Sequence, residues 1–275
     1  YTQEISLTEP AADRPSAIFT LLSTSSGTGL AQLLSEEADI ALSLREVSAD
    51  EIIQARDVGL GELNSLQQAR VVALDAIVPI VSPSNPVQRL SLLELEGILL
   101  GTITNWQELG GLDAPIELHL GVETSGITQA FLQRMRAREG SIPGVFQRHA
   151  AQLELVQAVS DDPFALGISL LSSVGATRAL ELEGNCAFIS VATPASIKTE
   201  DYPLTAPLFV YVPARRLPKV AREFLRFVQS PQGQPFIAQA GFADQAISRT
   251  DAEHQGNRLA NAIRAAGEEI TLQDL

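Results

Sequence analysis

The sequence contains a single cysteine, Cys186, and only two lysines among its 19 basic residues. One cysteine excludes any disulfide bond within the chain. Acidic side chains outnumber basic ones and set the formal net charge at −14, whereas nucleic-acid-binding surfaces present clustered lysine and arginine. The composition therefore argues against a nucleic-acid partner, although backbone N–H groups can still bind a small anion on a negative protein.

The sequence also lacks a hydrophobic run long enough to span a membrane. Its longest apolar stretch, residues 71–81, is too short and contains Asp75. Apolar residues make up 45% of the chain, which is enough for real cores, and 275 residues suit one large domain or two lobes. The first residue is Tyr1 rather than Met, so we expect a mature form without a signal peptide.

Catalytic and metal-binding motifs are absent from the sequence. The histidines His119, His149 and His254 have no metal-ligand spacing, and neither a GxSxG motif nor a Walker A motif occurs. The adjacent carboxylates Asp161 and Asp162 precede a proline and are typical of a turn. We therefore expect no metal, no cofactor and no enzymatic activity.

Short β-branched apolar runs alternate with helical patterns, which predicts an α/β protein. The predicted strands cover residues 16–24, 38–46, 71–83, 116–122 and 207–213. Residues 1–14 are polar without clear periodicity, and the chain becomes polar and charged again from about residue 246.

Two short Ser/Gly loops follow predicted strands and open predicted helices. Residues 25–29 read Ser-Ser-Gly-Thr-Gly, and residues 124–126 read Thr-Ser-Gly. Each loop would bring free backbone N–H groups, a positive helix-dipole end and hydroxyl groups to one point, which suits an anion. The alternative is ordinary helix capping, for which Ser26 and Ser125 are N-cap candidates. The loops alone leave both interpretations open.

Ser43 and Arg45 lie near the end of the predicted strand 38–46, where ligands bind in open α/β sheets. Ser43 can donate a hydrogen bond, and Arg45 can form two parallel hydrogen bonds to a tetrahedral oxyanion. The alternative for Arg45 is a surface ion pair with Glu46 or Asp39.

Six sequence blocks follow one another between about residues 16 and 245. They are SSGTGLAQLLSEEADIALSLRE, VVALDAIVPIVSPSNPVQRLSLLELEGILLGTITNWQELGG, TSGITQAF, DDPFALGIS, YPLTAPLFVYV and FLRFVQSPQGQPFIAQAGF. In this order they resemble the PstS-type phosphate-binding proteins of ABC importers, which have the type II periplasmic binding protein fold. The second block, residues 71–111, is the most diagnostic.

The resemblance implies two α/β lobes, each a mixed sheet flanked by helices, joined by crossover strands near residues 77–82 and 205–209. Lobe one would comprise residues 1–79 and 206–248, lobe two residues 80–205, and the tail residues 249–275. Together with the two loops, the resemblance implies a ligand-binding set of Ser25, Ser26, Gly27, Thr28, Ser43, Arg45, Thr124, Ser125 and Gly126.

The function that the resemblance implies is capture of phosphate, or a related oxyanion, in the cleft between the lobes. The protein would work outside the cytoplasm, in the periplasm or cell envelope of a bacterium. Its further partners would be the membrane subunits of an ABC transporter, and no bond would be made or broken.

The chain departs from the family pattern at three places. In the second loop, Gly121 stands where the family has an arginine, and Ile127 stands where it has a threonine. Leu44 stands where some members carry an aspartate that accepts the proton of hydrogen phosphate. Only 15 residues precede the block at residue 16, and none resembles the first anion loop of the family.

The tail suggests a second hypothesis. Residues 255–275, QGNRLANAIRAAGEEITLQDL, resemble the segment that joins such a binding region to an OmpA-like peptidoglycan-binding domain in some bacterial fusions. The chain would then be an envelope sensor or interaction module with a degenerate ligand site, linked to peptidoglycan through the attached domain. A third hypothesis, a phosphate-ester hydrolase, has no activated nucleophile or metal set to support it.

Overall fold

Strands and helices alternate along the chain, which confirms the predicted α/β fold class. The structure is a computed structural model that describes residues 2–7, 17–135, 146–184 and 189–246, together with Gly256 and Ala260. Within these ranges the strands are β1 (Thr2–Leu7), β2 (Ala17–Leu22), β3 (Ala41–Ser43), β4 (Ala69–Val81), β5 (Arg89–Ser91), β6 (Glu117–Gly121), β7 (Phe146–His149), β8 (Ala165–Leu170), β9 (Arg178–Ala179), β10 (Glu181–Glu183), β11 (Ile189–Ser190) and β12 (Thr205–Tyr211). The helices are α1 (Ser26–Leu34), α2 (Ala49–Asp57), α3 (Leu92–Leu99), α4 (Gly126–Arg134), α5 (Gln152–Asp161), α6 (Pro194–Lys198), α7 (Lys219–Val228) and α8 (Gln234–Gln239).

A seven-stranded mixed sheet forms the centre of the fold. Its strand order is β3-β12-β4-β8-β6-β7, and the short β9 also pairs with β4. Strand β12 is antiparallel to both of its neighbours, and β4 is antiparallel to β8, whereas β8, β6 and β7 are parallel. The parallel strands are connected through helices, as parallel pairing requires.

Strand β4 changes partner along its length. Its residues 69–76 pair with β12, and its residues 77–81 pair with β8. We call β3, β12 and residues 69–76 the first sheet half, and residues 77–81 with β8, β6 and β7 the second sheet half. The two halves therefore share one continuous strand, which changes partner between Ala76 and Ile77.

Buried apolar side chains cover both faces of the first sheet half. Tyr211 of β12 packs with Leu30 and Leu33 of α1, whereas the adjacent Val210 packs with Leu225 of α7. Because successive side chains of a strand point to opposite faces, α1 and α7 lie on opposite faces of this half. The second sheet half has a larger core of its own, built on residues 76–81, β6, β8, α4 and α5.

Two small sheets complete the described fold. Strands β5, β10 and β11 form a three-stranded sheet, and β1 pairs antiparallel with β2. Phe19 of β2 contacts Phe224 of α7, with 5.4 Å between the ring centroids.

The structure corrects several predicted boundaries. The polar segment 1–14 contains strand β1, although its sequence has no strand periodicity. Pairing with β2 supplies the backbone hydrogen bonds of this strand. The strand predicted at residues 38–46 is limited to β3, and the one predicted at 207–213 begins and ends two residues earlier, as β12. Apart from Gly256 and Ala260, the predicted tail 249–275 lies outside the described residues, as do Cys186 and His254.

Candidate functional site

Helix α1 begins shortly after β2 and is capped by Ser25. The Oγ of Ser25 accepts a hydrogen bond from the backbone N–H of Thr28 at 3.1 Å and lies 2.9 Å from Thr28 Oγ1. The prediction of Ser26 as N-cap is wrong, because Ser26 is already the first helical residue. Its buried hydroxyl accepts a hydrogen bond from the backbone N–H of Leu44 at 3.2 Å, which ties α1 to the loop after β3.

Helix α4 follows β6, and Ser125 caps it as predicted. Its first helical residue, Gly126, lies directly against Ser26 of α1. A Cβ atom at position 126 would stand 2.0 Å from Ser26 Oγ and 2.7 Å from Ser26 Cβ. Only glycine therefore lets the two helix starts approach this closely.

The meeting of two helix starts concentrates positive potential at one point. First-turn N–H groups have no acceptor within their own helix, and the helix dipole places roughly half a positive charge at each start. Two such ends repel each other unless negative charge lies between them. The contact between Ser26 and Gly126 is therefore favourable for an anion in electrostatic terms.

The side chain of Ser26 fills the space between the two helix starts. Hydrogen-bonded oxygens stand roughly 2.7–3.0 Å from each donor, so an oxyanion that bridges α1 and α4 needs more room than the direct contact leaves. An ion between these two points therefore requires α1 and α4 to separate.

Ser43 stabilises the loop that follows β3. Its buried hydroxyl donates to the carbonyl oxygen of Arg45 at 2.8 Å and accepts from the N–H of Arg45 at 3.2 Å. The single hydroxyl proton of Ser43 is thus used within the loop. Its predicted role as a donor to a ligand stays a prediction.

The guanidinium of Arg45 pairs with Glu51 of α2. Nη1 and Nη2 donate to the two carboxylate oxygens of Glu51 at 2.8 and 2.7 Å, and Nε donates to Gln129 of α4 at 2.6 Å. Nη1 also donates to the backbone carbonyl of Glu46. The ion-pair partner is neither carboxylate suggested by the sequence, and Asp39 instead lies 3.6 Å from Arg215.

This pairing decides the protonation of Glu51. Burial by itself would raise the pKa of Glu51, but hydrogen bonds from Arg45 and from the N–H of Ser48 outweigh burial and lower that pKa. The hydrogen bonds that Arg45 donates to Glu51 raise the pKa of Arg45, against the opposing effect of burial. Both groups are charged at neutral pH, and the charge of Arg45 is largely neutralised before any ligand binds.

A cavity of about 220 Å³ lies beside this ion pair. Arg45 and Glu46 line it from the first half, Gln133 and Arg134 of α4 line it from the second, and Phe209 of β12 lies at its wall. Arg134 also donates to the carbonyl oxygen of Thr205, at the start of β12. The cavity is therefore bordered by helix α4 and by strand β12.

The other predicted ligand residues surround the meeting point of the helices. Gly27 has room for a side chain, because a Cβ there would stand 3.7 Å from Arg45 Nη2. Thr28 and Thr124 are exposed. The structure thus brings Ser26, Gly126 and the Arg45 loop together, while the ligand roles of all nine predicted residues stay predictions.

The departures from the family pattern are part of the packing. A Cβ at Gly121 would stand 2.8 Å from Thr128 Oγ1 and 3.0 Å from Ser125 Oγ, so this position has no room for an arginine. Ile127 and Leu44 both pack against the core of the second sheet half. An aspartate at position 44 would lose this apolar contact.

Sequence reasoning missed Gln129 and Arg134, which reach the first half from α4. A signal for Gln129 exists, because it lies one helical turn after Gly126 and so shares its face of the helix. Glu51, the partner of Arg45, also has a sequence signal. With Ser48 it forms the S-x-x-E pattern of a capping box, which places it at the start of a helix.

The fold is that of an α/β protein with a mixed central sheet and helices packed against it. The chain belongs to the PBP superfamily, because a family model described as the PBP superfamily domain matches residues 5–232. No helix in the described part of the chain is long and apolar enough to cross a membrane.

Curated relatives confirm the resemblance to PstS-type proteins. The phosphate-binding protein PstS of Bacillus subtilis is 28% identical over 228 residues, which cover 82% of this chain and 70% of the relative. PstS of Borreliella burgdorferi is 24% identical, with 79% and 76% covered. Among solved structures, a candidate phosphate ABC transporter substrate-binding protein of Clostridium perfringens with bound phosphate gives a TM-score of 0.71. It is 24% identical, and the match covers 81% of this chain and 85% of that chain.

Proposed function

We propose that the chain is an extracytoplasmic solute-binding protein that captures phosphate or a related oxyanion for an ABC importer. The observation that carries this proposal is the contact between the N-terminal ends of α1 and α4 at Ser26 and Gly126. The printed names of the curated relatives, phosphate-binding protein PstS, support phosphate as the ligand. Capture of the ion at the proposed site makes and breaks no bond.

In this proposal the chain forms two lobes, residues 1–79 with 206–248 and residues 80–205, whose boundaries fall within β4 and at the start of β12. The lobes separate about these two crossover strands and close on the ion. The ion then accepts hydrogen bonds from first-turn N–H groups and hydroxyls of both helices, which replace its water shell. Arg45 lies beside this point and forms an ion pair with Glu51.

The proposal is tested by two serine variants that remove equivalent helix caps. Ser25→Ala deletes the cap of α1, and Ser91→Ala deletes the cap of α3, whose Oγ accepts from the N–H of Glu94 at 3.1 Å. Each variant is expected to lose about 1 kcal/mol of stability. In isothermal titration with inorganic phosphate, only Ser25→Ala should lose affinity, by about tenfold.

Sulfate serves as the reference anion in the same titration. Equal loss of phosphate affinity in both variants would mean that the effect runs through stability and not through the α1 start. Phosphate binding that survives Ser25→Ala unchanged would place the ion elsewhere.

A second candidate function is a ligand-degenerate sensor or interaction module, tethered in the envelope through an OmpA-like domain that binds peptidoglycan. Two observations favour it: the side chain of Ser26 fills the space between the two helix starts, and the carboxylate of Glu51 already binds the guanidinium of Arg45. If isothermal titration detects no binding heat with either phosphate or sulfate at about 1 mM, this candidate is favoured, because that result excludes even weak binding.

A further inference from the structure

Three side chains with metal-binding atoms meet near the start of β6 in the second sheet half. They are Glu117 and His119 of β6 and Asp162 at the end of α5, and one ligand atom from each lies within 4.8 Å of the others. Glu117 is exposed, Asp162 is half-buried and His119 is only 3% exposed. None of the three belongs to the anion site proposed above.

The local fold explains why these residues meet. Glu117 and His119 are two residues apart on β6, so their side chains lie on the same side of the sheet. Strand β6 pairs with β8, which places Glu117 opposite Ala165 and His119 opposite Gly167. Asp162 stands three residues before β8 and is anchored there, because its Oδ1 accepts from the N–H of Phe164 at 2.8 Å.

The ring of His119 has one nitrogen paired and one left over. Nδ1 lies 2.9 Å from Nε2 of His149, and the two rings stack with their centroids 5.1 Å apart. Nε2 of His119 is buried and has no hydrogen-bond partner among the described residues. Burying a polar nitrogen without a partner costs free energy, so the missing partner of Nε2 needs an explanation.

The surroundings favour a cation. The cluster combines two carboxylates with the C-terminal end of α5, whose last turn contains no basic residue, and helix C-termini carry partial negative charge. Burial, together with the neighbouring His149, lowers the pKa of His119. A neutral imidazole is the form that donates a lone pair to a metal.

We propose that Glu117, His119 and Asp162 form a binding site for a divalent first-row transition ion, with Zn²⁺ as the test ion. One imidazole nitrogen and two carboxylates are donors that Zn²⁺ accepts, whereas Mg²⁺ prefers oxygen alone. His149 would fix the ring of His119 by accepting the proton of Nδ1, which leaves Nε2 for the metal.

The geometry requires only a small contraction. Donor atoms around tetrahedral Zn²⁺ lie roughly 3.3 Å apart, as follows from Zn–ligand bonds of about 2.0–2.1 Å. The three atoms must therefore approach one another by about 1.5 Å at most, starting from 4.8 Å. The exposed side chain of Glu117 can supply most of this movement by rotation.

The site is spatially separate from the anion site. Glu117 begins β6, whereas Gly121 ends β6 and leads into the loop before α4. The two sites thus lie at opposite ends of one strand, and the ion would join β6 to the end of α5 and to the loop before β8. Its expected effect is on the stability of the second sheet half.

The test is isothermal titration of the chain with ZnCl₂ in phosphate-free buffer, with MgCl₂ as the hard-cation reference. The variants are Glu117→Gln and Asp162→Asn, and Glu154→Gln on the exposed face of α5 is the matched control. We expect one Zn²⁺ per chain, no Mg²⁺ binding, and affinity reduced at least roughly tenfold in the two site variants only. Thermal unfolding should show that Zn²⁺ raises the melting temperature of the unaltered chain and of Glu154→Gln.

Two outcomes would overturn the proposal. One is the absence of Zn²⁺ binding to the unaltered chain. The other is Zn²⁺ binding with equal affinity in Glu117→Gln, Asp162→Asn and Glu154→Gln, which would place the ion at other side chains. Both site variants change exposed or half-buried carboxylates to amides of the same shape, so circular dichroism should show that they still fold.

Discussion

At the scale of single residues, Gly126 has the strictest requirement in the candidate site. Its backbone is the surface against which Ser26 packs, and a Cβ would overlap the Oγ of Ser26 at 2.0 Å. The glycine is therefore required by close approach, not by an unusual backbone dihedral angle. Any larger residue must separate α1 from α4.

We predict that Gly126→Ala destabilises the protein by about 1–3 kcal/mol, the usual cost of overpacking. The matched control is Gly29→Ala in α1, where a Cβ would stand 3.7 Å from the nearest atom and replacing a helical glycine is favourable by up to about 1 kcal/mol. Urea unfolding measures both free energies.

Adding Ser26→Gly to Gly126→Ala removes the side chain that the new methyl group meets, and should restore part of the lost stability. If the two alanine variants unfold at the same urea concentration, the contact between α1 and α4 is not as close as described.

Some of these residues could be predicted from the sequence and others could not. Residues 25–29 and 124–126 were predictable, because each Ser/Gly loop follows an apolar strand and opens a helix. Which serine caps α1 was not, because Ser25 and Ser26 are equivalent until the burial of Ser26 against Leu44 is known. The Glu117, His119 and Asp162 cluster was missed because Asp162 is brought there by the pairing of β6 with β8.

At the scale of secondary-structure elements, α2 and α3 begin in the same way but have different surroundings. Both carry a capping box, Ser48 with Glu51 in α2 and Ser91 with Glu94 in α3. Glu51 additionally holds Arg45, with side chains only 13% and 16% exposed. Comparing the two helices therefore separates the ion pair from the cap.

We predict that Glu51→Gln costs more stability than Glu94→Gln. A glutamine at the third helical position can still accept from the N-cap N–H, so Glu94→Gln should cost little, whereas weaker hydrogen bonds to the charged Arg45 should cost Glu51→Gln about 1.5–3 kcal/mol. Chemical unfolding at neutral pH measures the difference. Equal losses would mean that the pairing with Arg45 contributes nothing measurable.

The same pair predicts a pH dependence. The pKa of Glu51 is lowered from 4.5 in the folded protein, so its contribution to stability is present above pH 4.5 and is lost as the pH falls through the lowered value. The difference in free energy of unfolding between the unaltered chain and Glu51→Gln should therefore become smaller in acid.

The elements themselves were predicted with uneven success. The pattern of residues 71–81 predicts a buried strand, and β4 runs from Ala69 to Val81 with every residue from Ala76 buried. β1 escaped prediction, since an exposed strand in a two-stranded pair has no buried face to give it an apolar alternation.

At the scale of the whole molecule, the two sheet halves meet at a buried carboxylate. Asp75 lies on β4 one residue before the last pair with β12, and it is 1% exposed. Its oxygens accept from the N–H of Ala76 at 2.7 Å and from the hydroxyl of Ser172 at 2.6 Å. Burial raises the pKa of Asp75 from 3.8, against the opposing effect of these hydrogen bonds.

We predict that the contribution of Asp75 to the free energy of unfolding is larger in acid than at neutral pH. Because its folded pKa is raised, its contribution is fully present below pH 3.8 and is lost as the pH rises through the folded value. The free energy of unfolding of the unaltered chain should therefore fall relative to Asp75→Asn between about pH 3.5 and about pH 7.

In the control for this experiment, the expected pH dependence of stability has the opposite sign. Lys198 donates to Asp244 at 2.5 Å and lowers the pKa of that carboxyl. Relative to Asp244→Asn, the unaltered chain should therefore gain stability as the pH rises. Parallel trends in both comparisons would argue against the burial of Asp75 as the cause.

The order in which the chain is synthesised has a consequence for the first sheet half. β12 lies between β3 and β4, yet it is separated from both in sequence by more than a hundred residues, so this half has a high contact order. On the ribosome, β3 and residues 69–76 emerge early but find their common partner only after Tyr211 has left the exit tunnel. The part of the sheet that is made first is thus completed last, and until then two strand edges stay open to mispairing.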